Sequence, residues 1–300
     1  MIAVVVVRGG ALPAGGDETV AEAGGRAMLV GSGTAEAAAA LNGIATHITL
    51  VERSAFHPSA IALGLAPLLG DEPHVLLPAS PDGRDLAPHL AARLHRQLYA
   101  AAALITPHRV SLVRANGSQL HEVVPTTEFV ATLSPGLRGA APDPSVVTVV
   151  DATHMSTAHA PDAEVLDVLP PDPATIDLSE APRIVCAGAG LDDAARMHQL
   201  ANLGAAIGAS VGATRVITDR GWVGHERQIG TTGVVVNPRL YLAFGVSGAA
   251  QHTSGLGDPS HTVCVNTDAH CPMMQLADLA VVADANAVLD HLQQLLGAQP

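Results

Sequence analysis

The sequence predicts an α/β chain of two domains, each built on a largely parallel sheet. Three observations carry that expectation. Short β-branched runs alternate with helix-forming stretches, the pattern of buried parallel strands joined by helices. A proline-rich stretch interrupts the alternation at 160–182, and the alternation then resumes. The length, 300 residues, suits two domains at about 100–200 residues each.

Taken in order, Ile2–Val7 is an apolar, mostly β-branched run and reads as a buried strand. It is far short of the about 20 residues that span a bilayer and has no basic leader, so no targeting segment or stable membrane insertion is expected. Ala27–Val30 reads as a second strand, followed by the turn Gly31-Ser-Gly33 and an Ala-rich helix, Ala35–Leu41. A strand is expected at Ile48–Val51, a helix at Ser59–Leu69 and a strand at His74–Leu77. Asp85–Leu98 reads as a helix because Leu86, Leu90 and Leu94 recur at i+4, with Arg93 and Arg96 off that stripe. Val110–Val113, Val123–Val124, Phe129–Leu133 and Val146–Val150 read as later strands. The expected division is a first domain at 1–155, a proline-rich linker at 156–182 and a second domain at 183–300. In the second, strands are expected at Arg183–Ala187, Val216–Thr218, Leu240–Val246, Thr262–Asn266 and Ala280–Val282, with helices at Asp193–Gly208 and Ala285–Leu296.

Composition narrows the function. The net charge of −13 disfavours a broad basic nucleic-acid surface or attachment to anionic lipid. Every basic residue is Arg, which removes mechanisms that need a lysine, such as Schiff bases and Walker-type phosphate loops. Aromatic residues are so few that the core must come from Ala, Val, Leu and Ile. Cys186, Cys264 and Cys271 form no CxxC pair and no disulfide framework, which fits a reducing compartment. The Ala- and Gly-rich usage suits a bacterial cytoplasm. His252, His261 and His270 lie nine apart, without the i, i+4 spacing of a metal site on a helix, so no metal is expected.

Gly31-Ser-Gly33 sits where a phosphate-binding turn would, but Glu36 stands where the third glycine of GxGxxG belongs. It reads as a tight strand-to-helix turn. Gly188-Ala-Gly190 signals only a close approach of backbone. The stretch from Gly208 to His252 is richer. It holds Gly212-Ala-Thr-Arg215, Gln228-Ile-Gly-Thr-Thr-Gly233 and Gly245-Val-Ser-Gly-Ala-Ala-Gln-His252, each small or flexible, polar and placed near an expected strand end. Glycines let N–H groups approach phosphate oxygens, hydroxyls add donors, and Arg215 adds a cation. Ser247 lacks the GxSxG pattern of a nucleophile elbow, and His252 lacks an acidic partner, so a hydrolase triad is rejected and no catalytic residue is assigned.

These clusters, with Gly221-Trp-Val223, Pro238-Arg-Leu-Tyr241, Val265-Asn-Thr-Asp268 and Ala277-Asp-Leu-Ala-Val-Val-Ala-Asp284, resemble in order the C-terminal FAD domain of the electron-transfer flavoprotein α subunit. The resemblance covers about 183–297. The first 150 residues resemble the family loosely, chiefly at Pro78-Ala-Ser-Pro-Asp-Gly-Arg-Asp-Leu-Ala-Pro88. The resemblance implies a Rossmann-like or flavodoxin-like FAD-binding domain and a heterodimer with a β subunit. It implies an electron carrier, not an enzyme, that takes electrons from flavin dehydrogenases and passes them to a downstream acceptor. By position it assigns Thr214 and Arg215 to the FAD, with Arg215 against the flavin ring as the cation that stabilises negative charge on reduction. Thr232 matches the hydroxyl near flavin N5, and His252 the histidine near the C2 carbonyl. Gln228, Ile229, Gly230 and Thr231 form the turn between these positions. Ser247, Gly248, Ala249, Ala250 and Gln251 match the turn along the ribityl chain and phosphates. Asn266, Asp284 and Ala285 match contacts to the adenosine half. Two residues depart from the family pattern: Ala189 stands where Gly-Arg-Gly has its arginine, and Thr231 replaces the usual glutamine. The lost charge at Ala189 leaves an FAD-free structural or regulatory paralogue as an alternative expectation, and the similar dinucleotide-binding fold leaves an NAD-binding enzyme as another.

Overall fold

The computed structural model describes residues 1–114, 119–136, 147–155, 160–164, 166–167 and 172–297, and the structural statements below concern these. Pro170 and Pro171 of the expected linker and Val146 of an expected strand lie outside them. The chain forms two compact units, Met1–Val168 and Leu169–Pro300.

The first unit contains β1 (Ile2–Val7), α1 (Gly16–Glu22), β2 (Arg26–Gly31), α2 (Thr34–Ala40), β3 (His47–Glu52), α3 (Pro58–Leu69), β4 (His74–Pro78) and α4 (Pro81–Leu94). After these come β5 (Gln97–Thr106), β6 (Arg109–Arg114), β7 (Gln119–Val123), β8 (Phe129–Leu133) and β9 (Thr148–Asp151). Its nine strands run in the order β7-β6-β5-β8-β4-β1-β2-β3-β9. All pairings are parallel except β5 with β6 and β6 with β7. β1 explains its own composition. Val5 and Val7 pack into one apolar cluster with Leu29 and Phe129, while Val4 and Val6 pack into the opposite one with Leu65 and Leu90. A strand covered on both faces has no polar side to alternate with.

Two expectations here are corrected. The helix expected at Asp85–Leu98 starts and ends earlier. Ser80 caps it by accepting from Gly83 N at 3.2 Å, and Pro81 takes the first turn, where its missing N–H costs nothing. His95 then turns left-handed at φ 54° and ends the helix. Leu98 therefore belongs to β5, which no expected strand covers. Its Ala-rich sequence favours helix locally, but parallel pairing with β8 and antiparallel pairing with β6 override that preference.

The second unit contains β10 (Arg183–Ala187), α5 (Ala195–Ile207), β11 (Ser210–Ala213), α6 (Arg215–Asp219), β12 (Leu240–Phe244) and α7 (Ala250–Thr253). Then follow β13 (His261–Asn266), α8 (Pro272–Leu276), β14 (Leu279–Val282) and α9 (Ala285–Gly297). The sheet is wholly parallel, in the order β11-β10-β12-β13-β14. This is the doubly wound order 2-1-3-4-5 of flavodoxin-like sheets. Alternate residues of β10 again feed two cores, Val185 and Ala187 on one face and Ile184 and Cys186 on the other. The strand expected at Val216–Thr218 is wrong. Those β-branched residues lie in the short helix α6, and Ser210–Ala213 supplies the strand by pairing with β10. Among the described residues, no helix is long and apolar enough to cross a membrane.

Candidate functional site

In the second unit the strand order reverses at β10, whose neighbours β11 and β12 are reached on opposite sides. The connections leaving their carboxyl ends diverge, and ligands of open α/β sheets bind in the crevice so formed. The loops after β10 and β12 pass within backbone contact there. A side chain on Gly188 would lie 2.3 Å from the Gly245 carbonyl oxygen, so glycine is required at this crossing.

Beside that crossing lies a cavity of about 330 Å³, a volume typical of small-molecule sites. It is lined by Ala189 after β10, by Thr214, Arg215 and Val216 after β11, by Gln228, Ile229, Gly230, Thr231 and Thr232, and by Ser247, Gly248, Ala249, Gln251 and His252 after β12. The three glycine-rich clusters of the sequence thus meet around one space. Ala250, Asn266, Asp284 and Ala285 do not line it. A larger space of about 630 Å³ elsewhere in the unit, between α5 and Trp222, is lined by alanines, Met197, Val211 and Val223 together with Asp172, His198 and Arg227, but lies away from the glycine-rich clusters.

Local hydrogen bonds shape the walls. Gly230 has φ +142°, and any Cβ there would stand 2.6 Å from the Gln251 carbonyl oxygen. This bare backbone lets Thr231 N donate to Gln251 O at 2.8 Å, tying the 228–233 turn to α7. Gln228 is buried at 1% exposure. Its Oε1 accepts from the Thr218 hydroxyl at 2.7 Å, and its Nε2 donates to Thr232 Oγ1 at 2.9 Å. His252 is buried too, with Nδ1 3.1 Å from the Ile229 carbonyl oxygen. A carbonyl only accepts, so Nδ1 carries the hydrogen, and Nε2 accepts from the Tyr241 hydroxyl at 2.7 Å. Burial lowers the His252 pKa, opposed by the bond to Ile229, and the ring is neutral. Burial raises the Tyr241 hydroxyl well above its usual range, so it stays a donor.

Charge is available at the mouth. Arg215 opens α6 and is largely exposed, its Nε 3.3 Å from Asp219 one turn on. Exposed i, i+4 pairs contribute little, so an incoming anion meets weak competition for this guanidinium. Thr214 Oγ1 is buried and has no hydrogen-bond partner among the described residues. A hydroxyl left unpaired at a cavity wall fits a site that a bound ligand completes. Asn266 and Asp284 stand at the ends of β13 and β14 and have structural bonds. Asn266 Nδ2 donates to Val246 O at 2.9 Å and its Oδ1 accepts from Asp268 N at 3.0 Å. Asp284 accepts from Ala287 N at 2.9 Å, and that backbone bond lowers its pKa.

Val216, Thr218 and Tyr241 belong to the site or its supports and are not among the positions the family resemblance assigns. Tyr241 carried a signal: a buried tyrosine must find a partner for its hydroxyl, and this chain has only Tyr99 besides. Thr218 carried none, because its role depends on the turn that brings Gln228 back to it.

A family model described as the electron transfer flavoprotein FAD-binding domain matches residues 177–257. The chain is 34% identical to the mitochondrial electron transfer flavoprotein subunit alpha of rice (Oryza sativa subsp. indica), covering 90% of this chain and 80% of the rice protein. It is 31% identical to the electron transfer flavoprotein subunit alpha of Paracoccus denitrificans, covering 94% of this chain and 91% of that protein. The corresponding protein of Pseudomonas aeruginosa is 30% identical, over 93% of this chain and 90% of its own length.

Proposed function

The chain belongs to the electron transfer flavoprotein α-subunit family, and on that premise we propose that it binds one FAD in the cavity of its second unit and carries electrons as half of a heterodimer with a β subunit. One observation supports this above the others. Thr214, with its unpartnered hydroxyl, and Arg215, the exposed cation, share a cavity with the 228–232 and 247–252 segments at the strand ends. FAD, when bound, supplies reversible uptake and release of electrons.

The chain's own residues divide the remaining work. Arg215 offsets the negative charge that accompanies reduction, an attraction that grows as the cavity excludes water. Thr232 would offer a hydroxyl to the ring and Thr214 one to the bound FAD. His252 is neutral and held by Ile229 and Tyr241, so it acts as a fixed polar wall. The Ser247–Gln251 turn would hold the ribityl chain and phosphates. Asn266, Asp284 and Ala285, at the ends of β13 and β14, would meet the adenosine half beyond the cavity. Ala189 removes one cation from the phosphate end. A lost charge-assisted bond weakens binding by about 10- to 100-fold, which the other contacts can absorb.

On this reading the protein is a carrier, not a catalyst. Flavin dehydrogenases reduce it and a downstream acceptor reoxidises it. The reading includes a bacterial cytoplasmic location, supported by its three free thiols and by the bacterial relatives. The test is the visible spectrum of the chain co-purified with its β subunit. About one FAD per α chain is expected. A colourless complex that takes up no added FAD would overturn the reading and favour the FAD-free paralogue.

A further inference from the structure

Asn286, the second residue of α9, is buried at 8% exposure. Its Nδ2 donates to the Gly190 carbonyl oxygen at 3.1 Å, across 96 positions of sequence. A carbonyl only accepts, so this contact fixes which end of the amide is the nitrogen. Oδ1 is buried and has no partner among the described residues. An orphaned buried acceptor is costly, and a leucine of similar size would carry none. The amide is therefore held for its donor, and the donor serves Gly190.

Gly190 is gripped through both of its backbone groups. Its N–H donates to the Gly245 carbonyl oxygen at 3.0 Å, and its carbonyl accepts from Asn286. A Cβ on Gly190 would stand 2.7 Å from Gly245 Cα, so the loops after β10 and β12 meet through bare backbone. The residue before Gly190 is Ala189, which lines the cavity. The residues before Asn286 are Asp284 and Ala285, at the start of α9 and outside the cavity. Asp284 accepts from Ala287 N at 2.9 Å. That bond first, and the Asn286 groups after it, hold the Asp284 carboxyl below its usual range. One amide thus ties the rim of the cavity to the helix beyond it. At about 330 Å³ the cavity is at the small end for ligand sites. A dinucleotide must therefore extend past it along the strand ends.

We infer that Asn286 is a positioning residue that sets the start of α9 against the cavity rim at Ala189, and so fits the site to a flavin dinucleotide over a flavin mononucleotide. The inference rests on the FAD reading above. FMN ends at its phosphate and needs only the cavity and its rim. FAD carries an adenosine beyond its phosphates and needs α9 held in place relative to them.

The test titrates FAD and FMN separately into the flavin-free complex with the β subunit, for the wild type, Asn286→Leu and Asn286→Asp. The first variant keeps the bulk and removes the donor. The second keeps the shape and sets an acceptor against the Gly190 carbonyl, and it carries the comparison if the first folds poorly. Each variant is expected to weaken FAD by about tenfold, the worth of one hydrogen bond, and to leave FMN within about twofold. The preference for FAD over FMN should fall accordingly. An equal weakening of both ligands, or of neither, would show a merely structural Asn286 and overturn the inference. The ligand-free protein gives a second readout. On Asn286→Leu the Gly190 carbonyl signal should shift in NMR spectra and the Asp284 carboxyl should titrate at higher pH, and unmoved signals would also overturn it. A wild-type complex that holds FMN as tightly as FAD would overturn this inference alone, whereas one that takes neither would defeat the functional reading.

Discussion

In the first unit the strand order reverses at β1, flanked by β2 and β4; in the second it reverses at β10, flanked by β11 and β12. Both reversals place glycine-containing turns at the carboxyl ends of parallel strands. In the first unit the chain fills the crevice with its own groups. Glu52, at the end of β3, accepts from Gly33 N at 2.7 Å, Thr34 N at 3.0 Å and the Thr34 hydroxyl at 2.6 Å. Its pKa is lowered, chiefly by the Thr34 hydroxyl. Arg8 is held by Asp82 through two bonds, of 2.6 and 2.7 Å. The space left there is about 30 Å³, room for little more than a water. In the second unit no such carboxylate intrudes among the described residues, Arg215 has one loose partner, and about 330 Å³ stays open. The same fold grammar thus gives a self-capped crevice and an open one. A Gly-x-Gly turn marks a ligand site only where the chain does not occupy its own donors.

The comparison can be broken by variants, the largest effect first. Gly230→Val needs a side chain at φ +142° and 2.6 Å from the Gln251 carbonyl oxygen. Such strain costs about 1–3 kcal/mol before any overlap is counted, so FAD affinity should fall about 100-fold or more in equilibrium titration. Next comes a crossed pair. Arg215→Ala should weaken FAD by about 10- to 100-fold and leave ligand-free thermal unfolding in place, because its ion pair is exposed. Glu52→Ala should do the reverse. FAD affinity stays, while stability falls by about 1 kcal/mol through the lost helix cap, a figure kept low because Glu52 is exposed. The opposite pattern in either variant would contradict the division of labour.

Acid separates the units by pH window. Glu52 has a lowered folded pKa, so its contribution is present above the ordinary glutamate range, about 4.3, and is lost as pH falls through the folded value. His252 is a base with a lowered folded pKa, so the unfolded chain binds its proton first. Its neutral-state contribution is lost as pH falls below the ordinary histidine range, about 6.5. Denaturant titrations at successive pH values should flatten near neutrality for His252→Gln and in the acid range for Glu52→Gln. The smallest effect belongs to Thr214→Val. Its hydroxyl has no described partner, so ligand-free stability should not fall, while FAD should bind up to about tenfold more weakly.

What was legible in the sequence follows from range. The turns at 228–233 and 245–252 were legible because their backbone demands are local, and glycine and small polar residues answer them in place. β1 and β10 were legible as unbroken apolar runs. Val216–Thr218 misled because β-branched residues favour strands, while packing of Ile217 under the sheet decided for a helix. Alanine-rich β5 misled in the opposite sense. Glu52 was invisible as a cap because it reaches Gly33 across 19 positions. Tyr241 under His252 and Thr218 behind Gln228 are likewise products of folding, assembled from strand, helix and turn.

Amide hydrogen exchange of the complex, measured with and without FAD, tests the contrast between the two crevices most directly. Protection should rise at 228–234 and 247–252 of the second unit and stay unchanged at 31–34 of the first. Protection gained at 31–34, with 228–234 and 247–252 unaffected, would place the ligand in the crevice that Glu52 closes and contradict the proposed site.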